Sequence, residues 1–276
     1  MRPFLNRHLL SFLILLLCCR LTMRAQEQEP QTDRLGIQAG FGPLANQDLL
    51  ASPFVYHSGL WPLAVHYDHE GPTNRHAASV WFRGTTLESV ISGKLGGQSH
   101  TTEFVSLGAF YGYAHRIAGL LDDRLPVYAG GAWSTNFTIR NYDYGPSVPD
   151  ETIAEVSSSF SARVEGEYAL SNRGRIVLSL DGSLLSFTYR NPYGLNTDRD
   201  GAEATHHSYL AAFLALGSWH WFNEFFAGDA RLSYSYALSP AIEVTGVYSL
   251  NYQRYAFPRT STTVLQTFSA GIFYKF

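Results

Sequence analysis

The stretch Val264-Leu-Gln-Thr-Phe-Ser-Ala-Gly-Ile-Phe-Tyr-Lys-Phe276 decides the fold of the whole chain. Taken alternately, Val264, Phe268, Ala270, Ile272, Tyr274 and Phe276 fall on one face, and Leu265, Thr267, Ser269, Gly271, Phe273 and Lys275 on the other. A period of two is the mark of a β-strand, because successive side chains point to opposite faces of a sheet. One face is apolar and ends in aromatics; the other is small and mixed. The chain stops on a Phe that follows Tyr-Lys.

The same period recurs upstream. Leu35, Ile37, Ala39 and Phe41 alternate with Gly36, Gln38 and Gly40; Trp61, Leu63, Val65 and Tyr67 with Ala64, His66 and Asp68. Around residue 160 the contrast is strongest: Val156, Phe160, Ala162, Val164 and Tyr168 face one way, and Glu155, Ser157, Ser159, Arg163, Glu165 and Glu167 the other. Similar segments lie at 78–83, 105–114, 127–140, 176–189, 230–238 and 242–255. After residue 25 no run reaches the ~18–20 apolar residues of a spanning helix.

The N-terminus reads as an export signal. Arg2, Arg7 and His8 precede the apolar segment Leu9–Cys18, and Ala25 is a plausible cleavage residue before Gln26. Leucines precede Cys18 and Cys19, which argues against a lipoprotein site. Both cysteines lie in this segment, so the remaining chain has no disulfide, no cysteine nucleophile and no thiolate metal ligand. Removing residues 1–25 takes away four arginines and no acids, moving the formal net charge from −3 to −7. Such a chain is not expected to bind nucleic acid.

With its signal, its aromatic strands and its terminal Phe276, the chain resembles the small Gram-negative outer-membrane β-barrels. That resemblance implies an all-β, antiparallel up-and-down transmembrane barrel over residues 26–276, in contact with outer-membrane lipid and lipopolysaccharide. It also implies delivery to the barrel-assembly machinery through the closing strand. About ten strands are expected, with twelve as the alternative. Short connections at Glu70–Arg75, Ala118–Leu125, Ser171–Gly174 and Ser239–Pro240 alternate with long ones at Gly42–Gly59, Ile91–Thr101, Asn141–Ile153, Asn191–Asp229 and Phe257–Thr263. In bacterial barrels short turns are periplasmic and long loops extracellular, so both termini are expected in the periplasm and the loop 191–229 outside. Within that loop, the apolar run 209–216 suggests two further strands or a short helix on the lipid interface or over the lumen.

Charged residues on the second face are expected to line the lumen: Arg83, Arg116, Arg140, Glu155, Arg163, Glu165, Glu167, Asp181 and Glu243. Paired, they form a polar core filling a narrow barrel. With Ser171 placed opposite Arg175, Glu165 falls opposite Asp181, and Arg163 is predicted to bridge the two acids. Gly174 is predicted to take a left-handed conformation in that turn. Glycines 36, 40, 108, 112 and 130 leave space for a narrow channel.

Two constellations suggest chemistry. His206-His207-Ser208 resembles the His-x-Ser pair of two outer-membrane hydrolase families, the lipid A deacylases and phospholipase A, with Tyr209 where an Asn usually follows the serine. In those families a histidine base activates a serine nucleophile, and Glu224 is the candidate to orient His206. His66-Tyr67-Asp68-His69 resembles the His/Asp pairing of the omptin proteases, but lies toward a short turn. A metal there would need His76 as a third ligand. Neither metal nor cofactor is expected. The leading expectation is a non-enzymatic structural, assembly or surface-binding barrel with an envelope protein partner; the alternatives are a narrow channel or carrier, and an outer-leaflet lipid hydrolase.

Overall fold

The alternating segments form antiparallel strands that pair in chain order: β1 (Thr32–Asp48), β2 (Val55–Glu70), β3 (Asn74–Ser89), β4 (Thr101–Leu120), β5 (Leu125–Asp143), β6 (Glu151–Ala169) and β7 (Gly174–Arg190). A short helix, α1 (Tyr209–Leu216), precedes β8 (Ser218–Trp221), β9 (Phe225–Ala237), β10 (Ile242–Tyr255) and β11 (Ser261–Lys275). The computed structural model describes residues 32–49, 54–89, 100–121, 124–143, 151–190, 209–256 and 260–276. The signal segment 1–25, and with it the cleavage site, lies outside them.

The closing strand does what its pattern requires. β11 pairs with β10 on one side and β1 on the other, with Leu35 opposite Tyr274 and Phe41 opposite Phe268. β6–β7 pairing completes the ring. Asp33 and Phe276 exchange backbone hydrogen bonds of 3.2 and 3.0 Å, so both ends of the barrel chain sit at the end that carries the short turns. The opposite end, with the longer connections, is called the loop end below.

β8 and β9 run in the same direction along β7. β9 pairs with Gly174–Gly182 of β7 and β8 with Leu185–Thr188. They form one stave interrupted at Phe222-Asn223-Glu224, so the barrel has ten staves, not twelve. The interruption has a local cause. A bulge on β7 shifts the register between its Ser183 and Leu185 pairings with β6, and the Ser183 hydroxyl takes the Ala227 N–H at 2.8 Å. The turn from Trp221 to Glu224 is tied to the end of β10 by Ala256 N–H donating to the Glu224 carbonyl.

Outward positions carry Leu35, Ile37, Leu63, Val65, Leu180 and Ile272, all exposed. Inward positions carry the buried Ser106, Glu155, Arg163, Ser179 and Glu243. A continuous outer belt of this kind belongs in hydrocarbon; in water it would drive aggregation.

Several expectations are corrected. The connection expected at Gly42–Gly59 is strand for most of its length, because Leu44, Tyr56 and Leu60 turn inward and are buried with Leu87, Phe104, Tyr142, Ile153 and Leu265. The loop end of the lumen is therefore apolar over one side, where a polar lining was expected. The loop 191–229 ends earlier than expected, since 218–229 belongs to the β8–β9 stave. α1 lies on the outer face of β6 and β7, where Phe213 is buried against Val156 and Tyr189, with its ring 4.9 Å from that of Phe187. Tyr189, on the outer face of β7, is covered by this helix. Gly174 does not adopt a left-handed conformation; the Ser171 hydroxyl accepts its N–H at 2.9 Å and closes the turn.

Three of the five glycines expected to open a channel, Gly36, Gly108 and Gly112, do the opposite. A side chain at Gly36 would collide with the Phe273 ring, one at Gly108 with Trp81, and one at Gly112 with Phe110. The space they leave is filled by inward aromatics.

Candidate functional site

The lumen is crossed by charge at the turn end. Arg34 donates to Glu243 at 2.6 Å, to Glu70 at 2.5 Å and to Asp68 at 3.3 Å. Arg175 reaches Glu70 at 2.7 Å and Glu243 at 3.3 Å, and Lys275 meets Glu243 at 2.7 Å. Glu70 on β2 and Arg175 on β7 stand on opposite walls of the ring. Arg75 joins Glu165 at 2.5 Å and also binds Glu167, across two intervening strands. Arg163 holds Glu165 and Asp181, each at 2.9 Å. Carboxylates and guanidinium groups this deeply placed are tolerated only when paired and hydrogen-bonded.

The predicted Arg163 bridge thus forms, though for a different reason. Arg163 itself stands opposite Asp181, and Glu165 opposite Ser179; the strands are offset from the register expected. Asp181 instead faces Asp229 on β9.

Of the residues expected to line the lumen, Arg163, Glu165, Glu167, Asp181 and Glu243 enter this network. Arg140 and Glu155 form a separate buried pair at the loop end, 3.3 Å apart, joined by Asp48 and Arg190. Gln253 of β10 reaches Glu155 of β6 at 2.5 Å, so the loop end is crossed too. Arg83 stands over the Trp81 ring, with Asp229 of the opposite wall as its countercharge. Arg116 lies on the lumen face of β4 near the turn end. Sequence reading missed Arg34, Glu70, Arg75, Arg175, Asp48 and Arg190: Glu70, Arg75 and Asp48 fall in expected connections, and the other three lie one residue outside an expected strand. Extending the alternations by one to three residues finds all of them except Asp48, which lies seven residues beyond Phe41. A cavity of about 100 Å3 lies within the turn-end network, lined by Arg34, Glu70, Arg175, His66, Arg231 and Phe273. A polar volume of that size has room for a few waters.

The His66–His69 segment does not converge. His66 is buried in the lumen beside the Phe273 ring and Asp68 pairs with Arg34. His69 and His76 point outward, with ring centroids 5.5 Å apart, where they bond Asp33 and the Tyr111 hydroxyl. Among the described residues no group of three or more His, Cys, Asp or Glu could hold a metal.

His206 and Ser208 lie outside the described residues. Glu224, their expected partner, is placed, and it orients a different histidine. Its carboxylate is 3.1 Å from Nδ1 of His220. Nε2 of His220 is 2.7 Å from Oγ of Ser218 and 3.3 Å from the Tyr255 hydroxyl. A carboxylate only accepts, so it selects the tautomer with the proton on Nδ1, which leaves Nε2 to accept from Ser218. Strand geometry puts Ser218 and His220 on the inner face, while Trp219 and Trp221 point outward. The break after Trp221 folds Glu224 back under the imidazole. His220 is buried and packs edge-on against Tyr255, whereas Ser218 and Glu224 are exposed at the loop-end mouth. The sequence signal was Ser218-x-His220-x-x-x-Glu224, hidden in a segment taken for loop.

No family model and no curated protein sequence matches the chain. Solved structures do. Outer membrane protease OmpT from Escherichia coli aligns over 92% of this chain and 99% of its own, at 10% identity and a TM-score of 0.49. The architecture is that of a small outer-membrane β-barrel. The translocator domain of the autotransporter NalP from Neisseria meningitidis aligns over 98% of this chain and 96% of its own, at 10% identity and a TM-score of 0.47. Neisserial surface protein A aligns over 90% of this chain and all of its own, at 12% identity and a TM-score of 0.36.

Proposed function

We propose that this protein is a sealed outer-membrane barrel that works at its loop end and is not a conduit. In this reading residues 1–25 direct export in a Gram-negative cell, the closing strand ending in Phe276 engages the assembly machinery, and both termini stay in the periplasm. The loop end then faces outward among lipopolysaccharide and presents a surface-binding or assembly surface. The observation that carries it is the Glu70–Arg175 bridge, which spans the lumen between opposite walls and is braced on both sides by Arg34 and Glu243. An ion passing through would have to break several buried charge pairs, each costly to separate.

Planar-bilayer recording of the refolded protein tests this. The expected trace is flat at all applied voltages. Discrete, reproducible conductance steps from protein of verified fold would overturn the reading in favour of a channel.

A further inference from the structure

We infer that Ser218, His220 and Glu224 form a serine esterase site at the loop-end mouth, acting on carboxylic esters that carry a hydrocarbon chain. The inference rests on the loop end being the outward working face and adds a reaction to it.

The argument starts from geometry. A serine hydroxyl is a weak nucleophile until a neighbouring base takes its proton, and the base serves best when a third group fixes its tautomer. Here Oγ to Nε2 is 2.7 Å and Nδ1 to the Glu224 carboxylate is 3.1 Å. Ser218 is exposed while the imidazole is buried, so the nucleophile is open to substrate and the base is held by packing. Tyr255 supplies the remaining part. Its hydroxyl accepts from Thr188 at 3.2 Å, which frees its own proton to point toward His220 Nε2 or toward a substrate oxygen beside it. That is the position from which a donor stabilises an oxyanion.

The reaction balances with water as the only co-reactant. Ser218 Oγ attacks the ester carbonyl carbon as its proton passes to His220 Nε2, and the carbonyl oxygen becomes an oxyanion facing Tyr255. The bond to the alcohol oxygen breaks, and Nε2–H protonates the departing alkoxide, leaving an acyl-serine. Water then attacks the acyl carbon and gives a proton to Nε2. Collapse releases the carboxylic acid and returns the proton to Ser218. Glu224 touches no substrate; it is a positioning residue.

The substrate class follows from the surroundings. Trp219 and Trp221 point outward from β8 and Phe222 lies in the turn that follows, each about 60% exposed; Leu214 of α1 is exposed to a similar degree. These apolar side chains, within four residues of Ser218, are the part of the segment that would favour a substrate carrying a hydrocarbon chain. The chain comes from a membrane lipid or from a dispersed amphiphile, and the test separates the two.

The refolded full-length protein is treated with a fluorophosphonate and digested for mass spectrometry, in parallel with hydrolysis of p-nitrophenyl butyrate, of p-nitrophenyl palmitate in micelles and of phosphatidylcholine vesicles. Folding of every variant is checked by heat-modifiable gel mobility. The expected result is a phosphonyl adduct on Ser218, absent in Ser218→Ala. Palmitate ester is expected to be cleaved at least tenfold faster than butyrate ester. Cleavage of vesicles identifies a lipid source, and cleavage of micelles alone a dispersed amphiphile. His220→Ala loses turnover to background. Glu224→Gln lowers kcat with KM unchanged, and Glu224→Asp restores part of the rate. Folded protein with no adduct on Ser218, or labelling unchanged in His220→Ala, would overturn the site. Labelling of purified protein without labelling of intact cells by a membrane-impermeant fluorophosphonate would keep the site and overturn the outward orientation.

Discussion

Replacing Arg163 by Met isolates the contribution of the lumen charges. The guanidinium is buried, with Nη1 2.9 Å from Asp181 and Nη2 2.9 Å from Glu165. At an effective dielectric of ~20, a unit pair at this distance gains roughly 6 kcal/mol before desolvation is subtracted. Methionine keeps much of the apolar stem near Phe110 but leaves Asp181, directly opposite Asp229, without its Arg163 partner. Breaking a buried pair by removing one partner costs about 3–5 kcal/mol. Arg163→Met is therefore expected to lose about that much stability, roughly two to four powers of ten in the folding equilibrium. Adding Asp181→Asn removes the orphaned charge and is expected to recover half or more of the loss, whereas Asp181→Asn alone destabilises. The measurement is reversible urea unfolding in phospholipid vesicles, followed by tryptophan fluorescence and gel mobility, in a double-mutant cycle. A loss below about 1 kcal/mol for Arg163→Met, or strict additivity of the two changes, would refute the claim that the network is held by mutual compensation.

Three further outcomes are expected. Truncating both Arg34 and Arg175 to Ala removes two cations of the turn-end crossing and should produce conductance bursts in planar bilayers where the parent chain gives none. Gly36→Val should cost about 1–3 kcal/mol by overpacking against Phe273, and combining it with Phe273→Ala should cost less than the two losses added together, as unfolding midpoints will report. Phe213→Ala, which removes the ring seated against Phe187, should release α1 from β6 and β7; limited proteolysis should then cut near 209–217 while the barrel midpoint shifts by less than about 1 kcal/mol.

How much of this was legible in the sequence depended on where alternation runs uninterrupted. The closing strand Val264–Phe276 and the segment Glu155–Glu167 have clean period-two contrast, and their inward and outward faces are those expected. Reading failed where a second influence overrode the period. Leu44, Tyr56 and Leu60 are apolar yet point inward, so a rule that assigns apolar residues to lipid ended the strands early. A single-residue bulge on β7 shifts the register, and no residue type marks it. The Ser218–His220–Glu224 arrangement spans a break in a stave, so its members belong to two strand pieces that only the β7 bulge and the Ala256 tether bring together. Arg163 was expected to meet Asp181 and does, because a two-residue offset in a strand pair preserves which face each side chain occupies.

The turn-end network also bears on how the barrel enters its membrane. Arg34 and Glu243 are 209 residues apart in the chain, and Glu70 and Arg175 are 105 apart. Each β-hairpin can form by itself, but none contains both members of these pairs. Until the first strand meets the last, their charges have no opposite wall to face, and exposing them to hydrocarbon costs several kcal/mol apiece. A half-inserted sheet is therefore penalised at every unmatched arginine and glutamate, and the penalty vanishes in one step when the ring shuts. The pairs that an ion would have to break to cross the finished barrel thus also favour insertion as a single step.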